Sequence, residues 1–172
     1  GRLLEQSQRG RPRRADELSM EFSDLGPSPG EAVARQRLSG VVELLLCAKD
    51  CPAVVVAALV HAEIATVRPF VRGNGLVARA LERAVVRASG LDPTGVAVVE
   101  LGHFPAGSGG PASSGDSGVP RGMAAYLGAL AAYGTGTPEG IALWITHCAE
   151  AIVKGAAEGS RIADAVLVGR LS

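Results

Sequence analysis

A chain of 172 residues can bury a core of its own, and 47% apolar against 20% charged residues place it among globular proteins. Its 17 basic and 17 acidic side chains cancel, which excludes a molecule-wide field drawing it to nucleic acid or anionic lipid. The apolar runs, such as 53–60, are too short to cross a bilayer, and the polar start lacks the apolar segment of a signal peptide. Cys47, Cys51 and Cys148 have no zinc-site spacing, so we read reduced, buried cysteines in a cytoplasmic protein with no membrane or nucleic-acid partner.

Residues 1–27 show no sustained period and carry the basic run Arg9, Arg11, Arg13 and Arg14, which predicts a flexible, solvated N-terminal segment. Gly1 in place of methionine is read as a trimmed end, leaving open whether an upstream segment was removed. The remainder, 28–172, is predicted as one domain. Ser28, Pro29 and Glu31 have the spacing of a capping box. Val33, Leu38, Val41, Val42, Leu45 and Leu46 then recur at helical spacing, giving a helix over about 29–48. Asp50-Cys51-Pro52 punctuates it, and a second helix runs to about Arg68, because the residue before Pro69 is disfavoured in helical geometry.

Beyond the Gly73-Asn74-Gly75 turn, Leu76, Val77, Ala80, Leu81, Ala84, Val85 and Ala88 mark a helix ending at Ser89-Gly90, expected to be central and best buried. The run 95–101 fits a short strand or a helical turn, and periodicity does not decide. Residues 103–120 are Gly, Ser and Pro with little to bury, a flexible insertion. A short helix follows over 121–133. Thr137-Pro138-Glu139 opens another, with Ile141, Trp144, Ile145, Cys148 and Ile152 on one face; Gly159-Ser160 is expected to interrupt it before a last helix over 160–171. Six or so helices with little strand favour an all-α fold.

The functional argument rests on VRPFVRGNGLVAR, residues 67–79. Two glycines allow a sharp turn whose N–H groups converge at the mouth of the next helix, a geometry that attracts anions. The stretch resembles the core motif of the Fic (Fido) family, H-x-F-x-[D/E]-G-N-G-R-x-x-R: Pro69, Phe70, Gly73, Asn74, Gly75 and Arg79 agree. Arg68 stands at the histidine, Arg72 at the acidic residue and Leu76 at the first arginine. The lead-in Leu59-Val60-His61-Ala62-Glu63, and Tyr126 to Leu130 with the helix holding Trp144, extend the likeness over about 52–158. It implies a compact helical domain related to protein adenylyltransferases, which move AMP from ATP to protein hydroxyls. In the family a flap aligning the target peptide lies upstream of the motif, which here would fall near 18–25.

Those substitutions bear on the chemistry. A guanidinium is not deprotonated in proteins, so Arg68 removes the expected base, and no catalytic residue is assigned. Arg72 repels rather than holds magnesium, so no magnesium or other metal is expected. Arg68, Arg72 and Arg79 with the backbone of Gly73, Asn74 and Gly75 are instead the expected phosphate-binding set, with ATP or another nucleotide as ligand. The family's inhibitory [S/T]-x-x-x-E-[G/N] motif has no match. The chain thus reads as a catalytically impaired nucleotide-binding module, with a Fic-fold interaction or regulatory partner, including a homo-oligomer, as the alternative.

Other readings are weaker. Gly73-x-Gly75-x-x-Ala78 also fits the dinucleotide fingerprint of an NAD-binding oxidoreductase, but Pro69 would remove a ladder donor from its first strand. Gly115-Asp116-Ser117-Gly118 is like a serine-protease motif by chance composition. His103 and His147 lack a further ligand at zinc spacing. His61, two turns before Arg68 on the same helix face, is read mainly as a core histidine.

Overall fold

A computed structural model describes residues 11–104 and 121–169. They form six α-helices: α1 Glu31–Leu46, α2 Ala53–Val67, α3 Asn74–Ala88, α4 Val99–His103, α5 Arg121–Gly134 and α6 Pro138–Leu167. No strand occurs among the described residues, so the chain is all-α as the helical spacing predicted. It divides into two units, Gly1–Val85 and Val86–Ser172. None of the described helices is long and apolar enough to cross a membrane.

In the first unit α2 is the buried helix. Ten of its fifteen residues, including Val56, Val60, His61, Ile64 and Val67, are buried. The expectation that α3 would be best buried is therefore corrected. The reason is composition: α2 has almost no polar face to present to water, whereas α3 carries Arg83 and Arg87 on exposed positions and buries a stripe of Asn74, Ala78, Glu82 and Val85.

Helix α1 packs on α2 and is clamped there by a fork. Arg37 Nε and Nη2 each donate to the Glu63 carboxylate at 2.8 Å, and Nη2 also donates to Thr66 Oγ1 at 2.9 Å. The predicted capping box does not form. Gly30 is the N-cap with no side-chain cap, and Glu31 instead accepts from Arg35 Nη2 at 2.6 Å, one turn along. Cys47 and Cys51, expected to be buried, are exposed beside the turn joining α1 to α2; Cys148 is buried.

In the second unit α4 and α5 pack on α6, around Trp144, Tyr126, Leu130 and Cys148. Gly159-Ser160 does not break α6, which runs through it to Leu167. The glycine serves packing there: a Cβ on Gly159 would run into the carbonyl of Val96, and one on Gly155 would lie 2.7 Å from the carbonyl carbon of Val98. Gly155 in turn accepts the Val98 N–H at 2.9 Å. Thr137 caps the helix as predicted, accepting from the Gly140 N–H at 3.1 Å.

The undecided run 95–101 is irregular over 95–98 and then enters the helical turn of α4 at Val99. Asp92 organises it, accepting from the N–H groups of Ala97 (2.9 Å), Gly95 (2.9 Å) and Val96 (3.3 Å). Those bonds, led by that from Ala97, hold its carboxyl below the usual range. Of the insertion predicted over 103–120, His103 instead ends α4 and is fully buried; 105–120, with the Gly115 to Gly118 motif, lies outside the described residues.

Candidate anion site at the 68–75 loop

The loop begins with a strained residue. Arg68 closes α2 in the left-handed region, φ 51° and ψ 62°, with its N–H on the Ile64 carbonyl at 3.0 Å. A non-glycine there costs on the order of 1–2 kcal/mol, so surrounding contacts must hold it. They come from the N-terminal segment. Arg68 Nη1 donates to the carbonyls of Phe22 (2.9 Å) and Gly26 (2.8 Å), and Nε to that of Thr66 (3.3 Å).

Residues 13–26, expected to be weakly attached, are tied along the loop. The Arg13 N–H donates to the Pro69 carbonyl (2.7 Å) and the Met20 N–H to that of Val71 (2.9 Å). Arg13 Nε donates to the Arg68 carbonyl (2.9 Å) and Nη2 to that of Pro29 (2.6 Å). A run of arginines reads as a solvated tail by composition. Here the Arg13 guanidinium is spent on the Arg68 and Pro29 carbonyls, which no local pattern announces. The stretch near 18–25 therefore lies against residues 68–75.

Asn74 fixes the turn itself. Its Oδ1 accepts from the Phe70 N–H at 2.9 Å, and its Nδ2 donates to the Phe70 carbonyl (2.8 Å) and to Ser19 Oγ (3.2 Å). Asn74 is fully buried, so these bonds replace water it cannot reach. Gly73 adopts φ +92°, open to glycine at no steric cost. At Gly75 an added Cβ would lie 3.1 Å from the Phe22 ring and 3.2 Å from an Arg79 Nη1, so both groups close over a bare backbone.

An anion does sit at the turn, and it belongs to the chain. The Gly73 N–H donates to Glu21 Oε1 at 2.6 Å and the Gly75 N–H to Glu21 Oε2 at 3.2 Å, at the first turn of α3. One carboxylate spans the two donors where the helix dipole is positive. The sequence reading missed Glu21. Its only signal was an acid near the end of a basic segment with no period.

The predicted set is thus divided. Gly73, Asn74, Gly75 and Arg79 come together at the turn. Arg68 is turned elsewhere: it is 3% exposed, with its donors on three carbonyls, and burial, then the Arg13 charge, push its pKa down. Arg72 is exposed and its Nε lies 3.2 Å from Met20 Sδ. His61 is fully buried on α2, its Nδ1 2.6 Å from Glu82 Oε2 on α3, which sets it in the core and away from solvent. The stretch before the turn is helix, so the strand, turn and helix required for a dinucleotide fingerprint is not formed.

In the second unit His103 Nδ1 and His147 Nε2 lie 3.1 Å apart, and the rings stack at 5.2 Å beside Trp144 and Tyr126. The bond between them uses one nitrogen of each.

The N-terminal segment is latched at its start by Arg11, whose Nη1 and Nη2 donate to Glu17 at 2.8 and 2.7 Å, while the Arg14 N–H donates to the same carboxylate at 2.7 Å. The Arg11 bond first, then that from Arg14, lowers the Glu17 pKa from 4.5 to about 2. A depressed carboxyl contributes fully above its unfolded value and is lost as pH falls through the folded one. The Arg14 amide resonance is therefore expected to hold its position from neutral pH until pH approaches about 2. Titration of that resonance near 4.5 would show that the latch is absent.

No family model, curated protein or solved structure matches this chain.

Proposed function

We propose that the chain is a Fic-like module, without a working transferase centre, whose glycine turn binds a phosphate group of a nucleotide or similar anion without a metal. The observation that carries this reading is the seat of Glu21: two convergent N–H groups at a helix start already hold a carboxylate. A phosphoryl oxygen offers the same acceptors, and Arg79 beside Gly75 supplies a cation. Neither Arg68, a cation bound to carbonyls, nor His61, buried against Glu82, is placed to abstract a proton from a target hydroxyl.

An incoming anion has to displace Glu21. Wild-type protein should bind ADP or inorganic phosphate weakly and equally well in EDTA. Glu21→Gln should tighten binding by about tenfold, equivalent to about 1.4 kcal/mol. Calorimetry and amide shifts of Gly73 and Gly75 read this out. If Glu21→Gln protein takes up no phosphate or ADP at millimolar concentration, or does so only with magnesium, the reading is wrong.

The second reading, an interaction partner, is favoured by α1, where Val33, Val42 and Leu46 are exposed. Sizing across concentrations tests it.

A further inference from the structure

A cavity of about 240 Å³ lies between the N-terminal segment and the first half of α1. Its walls are Pro12, Ala15, Ala34, Leu38 and Pro69, all apolar. Arg13, Arg14 and Arg35 also line it, against a single carboxylate, Glu31, so it is apolar within and positive in balance.

One wall of the cavity is anchored by hydrogen bonds. Arg13 acts as a strut: its guanidinium joins the Arg68 and Pro29 carbonyls, and its backbone N–H joins that of Pro69. At the lining, Arg35 is engaged by Glu31 at 2.6 Å. Arg14 is exposed and its guanidinium makes no hydrogen bond among the described residues, while its N–H is anchored on Glu17 Oε2 at 2.7 Å. That leaves a cation without a side-chain hydrogen bond, its charge felt also by Glu17, beside an apolar space.

We propose that this cavity binds a small amphipathic carboxylate, its alkyl or aryl body against Ala34, Leu38 and Pro69 and its charged end at Arg14. The volume falls below the roughly 300–1,000 Å³ of drug-sized sites, so the ligand is a short chain or single ring. A bare hydrated anion such as phosphate gains nothing from apolar walls. The site is thus separate in chemistry from the glycine turn and does not depend on its reading.

The test is an amide-shift titration of the full chain with octanoate, octanol and inorganic phosphate as probes. Octanoate should shift Ala15, Ala34 and Leu38 saturably, and octanol should do so more weakly. Arg14→Ala should weaken octanoate by about threefold to fivefold, the range of an exposed ion pair, and leave octanol unchanged. Ala34→Phe, which fills the space from α1, should abolish both. Ala15→Phe fills it from the opposite wall, so a helix disturbed by the first variant does not decide the outcome. The proposal is overturned by no saturable shift at these amides, by binding that survives both filled variants, or by phosphate acting there as strongly as octanoate.

Discussion

Alanine at Gly102 is expected to lower the thermal midpoint of the Val86–Ser172 unit by more than about 10 °C, the equivalent of about 3 kcal/mol in a unit of this size. Gly102 is buried in α4, and a Cβ there would fall inside the van der Waals envelope of the Ala151 carbonyl oxygen, with the Ala151 Cα also too close. The obstacle is helix backbone, which cannot swing aside as a side-chain end can. Helix α4 would have to move off α6, and Val98 would lose its bond to Gly155. Gly128→Ala is the matched control. That glycine is exposed in α5 with open space around it, so alanine should leave stability unchanged or raise it by up to about 1 kcal/mol. Equal midpoints for the two variants in a calorimetric scan would mean that α4 does not sit this close to α6.

Removing the His61 ring is expected to cost about 3–5 kcal/mol in urea denaturation, the cost of stripping one partner from a fully buried pair. His61 and Glu82 are both shielded from solvent, and the 2.6 Å bond joins α2 to α3 across the root of the glycine turn. His61→Ala leaves the Glu82 carboxylate with one partner fewer and opens space between two helices. A denaturation midpoint close to wild type would refute this structural role, and with it the argument that His61 is kept from proton chemistry by its place in the core.

Both expectations concern residues whose types were plain and whose neighbours were not. A glycine in a helical pattern reads as a weak point, and on that ground Gly159-Ser160 reads as a break. In the structure Gly102, Gly155 and Gly159 are where backbones meet, a reason visible only once the partner segment is in place. The basic run at the start shows the same limit. Arg13 is identical in sequence terms to a tail residue, yet its guanidinium bridges the carbonyls of Arg68 and Pro29, far along the chain.

By itself the sequence determined what short-range physics controls. Apolar spacing set the helices and their all-α class, Pro69 ended α2, Thr137 started α6, and the paired glycines marked a turn with convergent donors. Helical period and turn chemistry are local, so a single chain carries them in order. Tertiary structure alone decided who occupies the turn and which charges remain free. Glu21 reaches Gly73 and Gly75 from about fifty positions away, and Arg68 spends its donors on Phe22 and Gly26. Such pairings depend on which unsatisfied carbonyls and N–H groups folding brings within hydrogen-bond reach, and residue order does not encode that distance.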